Sequence, residues 1–328
     1  MIPKQSRPKR IQRPAWSLER LRNESAIALC AALEPASNLS YDSAFRSYID
    51  FCDKHHFPIE PTPDTLRFYI VYMSHYIKPQ SVEAYLSGIF SCLELEFPNV
   101  RTLRHHRLVS KTLAGCKKLR MARVTRKQPL TRGNLAHASL LHLKSDSHDD
   151  VTFVSLLSTG FFGLMRLGEL VWPDNPALRD CRKCILRSSV TVTPQTYSFV
   201  LPSHKADRFF EGSKVIINAS SSPEDPYNAF LRYLVSRDCR FRWNPYLWLL
   251  ESGTPPTRRW FISRLRLLFP PEISGHSLRA GGATALAEDG VPLDLIQALG
   301  RWASETFRVY IRKHPSILAA SLKHRHSD

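Results

Sequence analysis

The chain has 328 residues, 43% of them hydrophobic, and 46 lysines and arginines against 29 acids give it a formal net charge of +17. That length holds two domains with a core each. No run of eighteen apolar residues argues for a membrane span, and the basic, polar start argues against a secretory signal. So large a cationic excess selects a polyanionic partner, nucleic acid before an anionic membrane surface.

Residues 1–20 read as a basic N-terminal tail: a nuclear-import patch, an arm touching DNA, or a simply solvated segment. Residues 21–120 read as a helical domain. After Ser40, the residues Tyr41, Phe45, Tyr48, Ile49 and Cys52 recur at helical spacing. Thr62 followed by Pro63 marks a capped helix start, with Leu66, Tyr69, Ile70 and Met73 on one stripe. Pro79 opens another helix that turns Val82, Tyr85, Leu86, Ile89 and Leu93 inward. A fourth, over 102–119, buries Val109, Leu113 and Cys116. The tyrosines here are expected in the core rather than as base-stacking platforms.

From 101 to 132 the sequence contains no acid. A solvated charged face normally mixes signs, so Arg101, Arg104, Arg107, Lys111, Lys117, Lys118, Arg120, Arg123, Arg126 and Lys127 are expected to contact DNA phosphates. Residues 121–130, without periodicity, read as a basic linker.

Residues 131–328 read as a second domain, with Thr131 capping its first helix. An apolar helix over 149–158 is expected to stop at Thr159-Gly160. The next run, Phe161-Phe-Gly-Leu-Met-Arg166-Leu-Gly-Glu169-Leu, places an arginine among apolar residues with an acid three later. Burying an arginine is costly unless it is paired, so a purely structural Arg166–Glu169 pair competes with a functional reading. Alternation over 189–193 and 197–201 around Pro194-Gln195 predicts a hairpin, and a third strand covers 214–218 after the polar loop 203–208. Helices follow over about 226–237, 257–268, 276–288 and 292–299, then a short one around Tyr310 and a last one over 315–323. The fold class is mainly α with a small antiparallel sheet (α+β).

The seven cysteines, odd in number and without framework spacing, point to a reducing intracellular compartment. Cys181 and Cys184 form a close pair, but no second pair stands at zinc spacing beside them, so no metal is expected. Cys30, Cys52, Cys92, Cys116 and Cys239 are expected to be buried or half-buried thiols.

The segment Ser274-Gly-His276-Ser-Leu-Arg279-Ala-Gly281-Gly282 reads as a helix start capped by Ser274 or Gly275. His276 and Arg279 share a face, with Leu278, Ala285 and Leu286 opposite, which leaves imidazole and guanidinium aimed at a common target. Gly281 and Gly282 each cost about 1 kcal/mol of helix propensity, accepted for close approach of a neighbouring helix or a DNA backbone. With a tyrosine downstream at 310, this is a set of groups for handling a phosphate.

Taken in order, Arg166, Lys205, His276, Arg279, Trp302 and Tyr310 resemble the catalytic set of the tyrosine recombinase (phage-integrase) family. The segments that carry the resemblance are Gly163-Leu-Met-Arg166-Leu-Gly-Glu169, Lys205 between strands, Gly275-His276-Ser-Leu-Arg279, Leu299-Gly-Arg-Trp302 and Tyr310-Ile-Arg312. The resemblance spans about residues 20–322 and implies a helical core-binding domain and a catalytic domain clamping duplex DNA. It implies cleavage by Tyr310 through a covalent 3′-phosphotyrosine, with Arg166 and Arg279 on the non-bridging oxygens, His276 as general base and Lys205 protonating the leaving 5′ oxygen. Trp302 would pack against the site and offer its indole N–H to a phosphate oxygen, and Glu169 would orient Arg166 or the His-Arg helix. The phosphotyrosine conserves the bond energy, so no cofactor, metal or ATP is expected. A homotetramer on two DNA sites is implied, with 315–328 docking on a neighbouring subunit.

Trp302 stands where many bacterial members have histidine, and its spacing to Tyr310 is one residue shorter than in common bacterial members. Lys214 is the alternative to Lys205, and His204 reads as a surface residue or a DNA contact. Met165 and the Arg-Trp pair look more like eukaryotic mobile-element recombinases, which would place the protein in a nucleus. Two other functions share these features: a non-catalytic DNA-binding protein with a domesticated recombinase fold, and a type IB topoisomerase.

Overall fold

The structure, a computed structural model, describes residues 14–120, 127–142, 145–204, 207, 210–304 and 307–308. Two compact units divide the chain, Met1–Arg123 and Val124–Asp328. In the first, the described elements are helices: α1 (Leu18–Ala31), α2 (Pro35–His55), α3 (Pro63–Met73), α4 (Pro79–Leu93), α5 (Val100–Leu103) and α6 (Arg107–Leu119). Helix α1 starts inside the stretch read as tail, where the Ser17 hydroxyl accepts from the Arg20 amide. Its apolar residues Leu18, Leu21, Ile27 and Leu29 stay exposed, so it carries no buried stripe that a periodicity search would find.

The buried face of α2 is Ala44, Tyr48, Phe51 and Cys52; Ile49, expected inward, is 36% exposed on the flank. Helix α3 opens with a reciprocal cap between Thr62 and Thr65 and with Pro63 in its first turn. It buries Leu66, Tyr69 and Ile70 against Val82, Leu86, Ile89 and Leu93 of α4 and Val109 and Cys116 of α6. Each such side chain, taken fully from water, contributes roughly 1.5–3 kcal/mol. Tyr48 and Tyr69 are core residues, their rings edge to face at 5.5 Å. The single helix expected over 102–119 is two, because the His106 side chain caps a new start by accepting from the Leu108 amide.

The second unit begins to be fixed before its first helix. The Gln128 amide donates to the Glu272 carbonyl and the Leu130 amide to the Ser277 carbonyl, so the end of the stretch read as linker is tied down. Helix α7 (Arg132–Leu141) follows a cap between Thr131 and Asn134. Helix α8 (His148–Phe162) is the centre of the unit, with every residue from 151 to 161 buried. It runs through Thr159-Gly160, where the sequence pattern predicts its end. Gly160 is there for space, since a Cβ would stand 2.5 Å from Leu278 Cδ2.

After the one-turn α9 (Leu167–Leu170) come β1 (Thr191–Val192), β2 (Thr196–Leu201) and β3 (Ser213–Asn218), antiparallel in that order. Thr191 pairs with Ser198, and Leu201 with Ser213. Tyr197, Phe199, Val215 and Ile217 face the core; Lys214 and Ile216 face out. Helices α10 (Pro226–Arg240), α11 (Arg258–Leu268), α12 (Gly275–Glu288) and α13 (Leu293–Leu299) complete the described unit. The helices expected around Tyr310 and over 315–323 lie outside the described residues.

Cys52 and Cys116 are buried and Cys92 half-buried, but Cys239 is exposed on the outer side of α10, against expectation. The Cys30 side chain is outside the described set. Cys184 Sγ accepts from the Trp172 indole N–H at 2.8 Å. Among the described residues no helix is long and apolar enough to cross a membrane.

Candidate active site

The site is built around the turn that ends α8. Gly163 caps that helix, Leu164 takes a left-handed φ of 49°, and the Met165 amide reaches back to the Gly160 carbonyl at 2.9 Å. Arg166 then becomes the N-cap of α9. Its amide donates to Glu169 Oε2 and its Nη1 to Oε1, both at 2.9 Å. The structural pair that competes with the functional reading therefore exists. The Arg166 side chain nevertheless keeps 29% of its surface exposed, while Glu169 keeps 7%.

Helix α12 is pressed into the unit by its small residues. A Cβ on Gly281 would stand 2.0 Å from the Leu130 carbonyl oxygen, and one on Gly282 2.1 Å from that of Phe161. The two glycines make room for protein backbone, not for DNA. At the start of α12, Ser274 and Ser277 cap reciprocally, and Gly275 rests on Leu167 of α9, where a Cβ would be 2.4 Å from Leu167 Cδ2. That seating brings the His276 end of α12 to the Arg166 end of α9.

Arg279 is not displayed as the sequence pattern predicts. It is 2% exposed, and its Nη1 donates to the Leu164 carbonyl at 2.9 Å while Nη2 donates to the Gly300 carbonyl. Its guanidinium lies 4.1 Å from the Trp302 ring centroid, an arrangement worth about 2 kcal/mol when desolvated. The cause is helical geometry: Arg279 shares the packed face with Gly275 and Gly282, whereas His276 lies at the helix end and reaches the surface. The Trp302 ring covers Arg279 and Gly300. A Cβ on Gly300 would stand 1.5 Å from Trp302 Cζ3.

Partial burial of its ring, then the charges of Arg279 and Arg166, hold His276 below the ordinary imidazole value, although the residue as a whole reaches the surface. His276, Arg279 and Arg166 thus share one electrostatic neighbourhood. Lys205 and Tyr310 lie outside the described residues. Lys214, the alternative lysine, is exposed on the outer face of β3.

Two residues gain a place the sequence did not assign. His204, read as a surface residue or DNA contact, is half-buried, with Nε2 3.1 Å from Ser213 Oγ. Burial lowers its pKa, and Glu169, Arg301, Asp207 and Arg166 all act on it. Arg301, quoted in the sequence only as part of a motif, is a third guanidinium at the turn, 3.6 Å from Glu169 Oε2. A histidine beside the candidate lysine was a usable signal for the first; a residue preceding a motif tryptophan gave none for the second.

Of the expected phosphate-binding cations, Arg101 pairs with Glu94, Lys117 with Glu83 at 2.7 Å, Arg104 donates to Ser87 Oγ at 2.7 Å, and Arg120 bonds the His75 ring. Lys127 Nζ, on the second unit, donates to the Pro271 carbonyl at 2.9 Å. Arg107, Lys111 and Lys118 are exposed. Arg123 and Arg126 lie outside the described residues.

No family model and no curated protein matches the sequence. Solved structures do match. XerH site-specific recombinase bound to palindromic difH substrate aligns at a TM-score of 0.60 and 15% identity, over 86% of this chain and 78% of that one. The Tn1549 transposon integrase in complex with transposon right end DNA aligns at 0.60 and 11% identity, over 94% of this chain and 97% of that one. A lambda integrase dimer bound to a COC′ core site aligns at 0.53 and 14% identity, over 89% and 94%. At these identities the likeness is one of architecture, and it matches a mainly helical chain with a small antiparallel sheet: the protein has the tyrosine recombinase fold.

Proposed function

We propose that this protein is a site-specific DNA recombinase that cleaves and rejoins duplex DNA through a 3′-phosphotyrosine at Tyr310. The observation that carries the reading is that the helix of His276 and Arg279 meets the turn of Arg166 from far away in the chain: Arg279 bonds the Leu164 carbonyl and Gly275 seats on Leu167. Guanidiniums at Arg166 and Arg279 suit the non-bridging oxygens of a phosphodiester, whose charge grows as a fifth oxygen approaches. His276, held neutral at physiological pH, takes the proton of the Tyr310 hydroxyl as its oxygen bonds to phosphorus. The phosphorus–5′ oxygen bond breaks, and Lys205 supplies the proton that the leaving oxygen needs. One phosphoester is exchanged for another, so rejoining to a second 5′ hydroxyl runs the same steps backward and requires no ATP. Pairing of two DNA sites by four subunits completes an exchange, and the role is that of a mobile element's integrase, in the nucleus if the host is eukaryotic.

The enclosure of Arg279 favours one second reading, a DNA-binding protein that no longer cleaves. Cleavage requires Arg279 to trade the Gly300 carbonyl for a phosphate oxygen and the Trp302 ring to give way. Incubation with a nicked suicide duplex in EDTA separates the two. The recombinase gives a covalent protein–DNA adduct that Tyr310→Phe abolishes; wild-type protein that binds duplex and gives no adduct overturns the proposal. Relaxation of supercoils without site preference would indicate a topoisomerase instead.

A further inference from the structure

The turn that presents Arg166 is gripped by a guanidinium that the chemistry above does not use. Arg301 is 10% exposed in its side chain. Its Nη2 reaches the carbonyls of Gly163 at 3.3 Å and Leu164 at 3.2 Å and the Met165 sulfur at 3.4 Å, and its Nη1 donates to the Leu299 carbonyl at 3.1 Å. The Leu164 carbonyl also accepts from Arg279, so one oxygen ties two guanidiniums to the turn. Arg301 itself sits at a φ of 55°, a left-handed position where glycine or asparagine is the relaxed choice. Arginine at such a place points to a need for the side chain.

Glu169 gives that need a content. Its carboxylate accepts from the Arg166 amide and Nη1 and faces Arg301 at 3.6 Å, with His204 also in electrostatic reach. A buried carboxylate with one cation binds that cation fully and competes with any phosphate for it. With two cations its charge is shared, and Arg166 keeps more of its own for an incoming anion.

We propose that Arg301 is a positioning residue: it shares Glu169 with Arg166 and pins the segment after α13 to the Gly163–Arg166 turn, so that Arg166 is presented to the scissile phosphate with its charge only partly cancelled by its acid partner. This deepens the recombinase reading and rests on it. Arg301 does not touch DNA. The plainer account, a buried arginine that merely satisfies carbonyls at the end of α8, predicts reduced stability and nothing specific to cleavage.

The test uses the full chain as wild type, Arg301→Lys, Arg301→Gln, Glu169→Gln and the Arg301→Gln/Glu169→Gln double variant. Duplex affinity, rate of adduct formation on the suicide duplex and thermal midpoint are measured for each. The expected result is near-wild-type affinity for both Arg301 variants, with adduct formation slowed on the order of 100-fold in Arg301→Gln and less in Arg301→Lys, which keeps the charge but not the fork. The double variant should be no slower than Arg301→Gln, because the acid that Arg301 restrains is gone. Unchanged adduct rates in the single variants, or losses that simply multiply in the double variant, overturn the proposal. Wild-type protein without adduct overturns the recombinase reading instead. In that event the thermal cycle still decides this one, because absence of coupling between Arg301 and Glu169 would remove its basis.

Discussion

Three guanidiniums meet at the Gly163–Arg166 turn, and their surroundings give them different work. Arg166 alone keeps a substantial open surface, so a phosphate bound as proposed would meet it first; Arg279 is sealed between two carbonyls and an indole. Beside them, in the proposed reaction, His276 would have to be neutral to accept a proton from Tyr310. Partial burial of the ring and then the charges of Arg279 and Arg166 lower its pKa, so its neutral form persists to a lower pH than that of a free imidazole, about 6.5. Below the lowered value the ring is protonated and cannot act as base. Single-turnover adduct formation between about pH 5 and 8 should therefore show an acid limb centred below about 6.5, and His276→Gln should remove that limb along with most of the rate. A limb centred at or above the free-imidazole value would show that the neighbouring cations do not act on this histidine as the geometry requires.

At the scale of elements, the site depends on how deeply α12 sinks beside α8, and glycines set that depth. Gly282→Ala places a methyl group 2.1 Å from a backbone oxygen and 2.6 Å from Leu164 Cδ2. Neither the helix backbone nor the Leu164 turn can step aside, so the variant should lose about 1–3 kcal/mol, the usual cost of overpacking. Gly115, inside α6, has nothing within 4 Å of a Cβ, and Gly115→Ala should gain about 0.5–1 kcal/mol from helix propensity. Urea melts of both variants check the pair, and a neutral Gly282→Ala would mean that α12 is not locked against α8. These glycines also show what a sequence can carry. The caps at Thr62 and Thr131 were readable because hydroxyl and amide lie within one turn. Gly160 resembled a helix end, and Gly281 and Gly282 left a neighbouring helix and a DNA backbone both open, because what faces a glycine comes from another part of the chain. Arg166 and Glu169 admitted a structural and a functional reading from sequence; the fold shows the structural pair and leaves part of the Arg166 side chain open. Arg279 was nominated by pattern, but its enclosure depends on Gly300 and Trp302, which no local pattern ties to it.

Over the whole molecule, the net charge of +17 is not a uniform coat. The acid-free stretch of the sequence suggested a bare cationic strip, yet Glu83 of α4 and Glu94 just past its end pair with Lys117 and Arg101. Exposed ion pairs of this kind contribute little to stability, but each lowers the local positive potential that a polyanion sees. Arg107, Lys111 and Lys118 are exposed along the same strip and should carry its share of DNA affinity. A cation that neutralises a phosphate releases condensed counterions, so the slope of log affinity against log salt falls by about 0.9 for every phosphate of duplex DNA left unneutralised. Replacing Arg107, Lys111 and Lys118 together by alanine should reduce the slope by up to about 2.7 on that basis. Replacing Arg101 and Lys117 should reduce it by clearly less than the removal of two free cations would, because each leaves behind an acid whose charge it had already balanced. Titration of a short duplex of arbitrary sequence over a range of salt concentrations measures both slopes. Equal slope changes per residue in the two sets would mean that Glu83 and Glu94 let go of their partners when DNA binds.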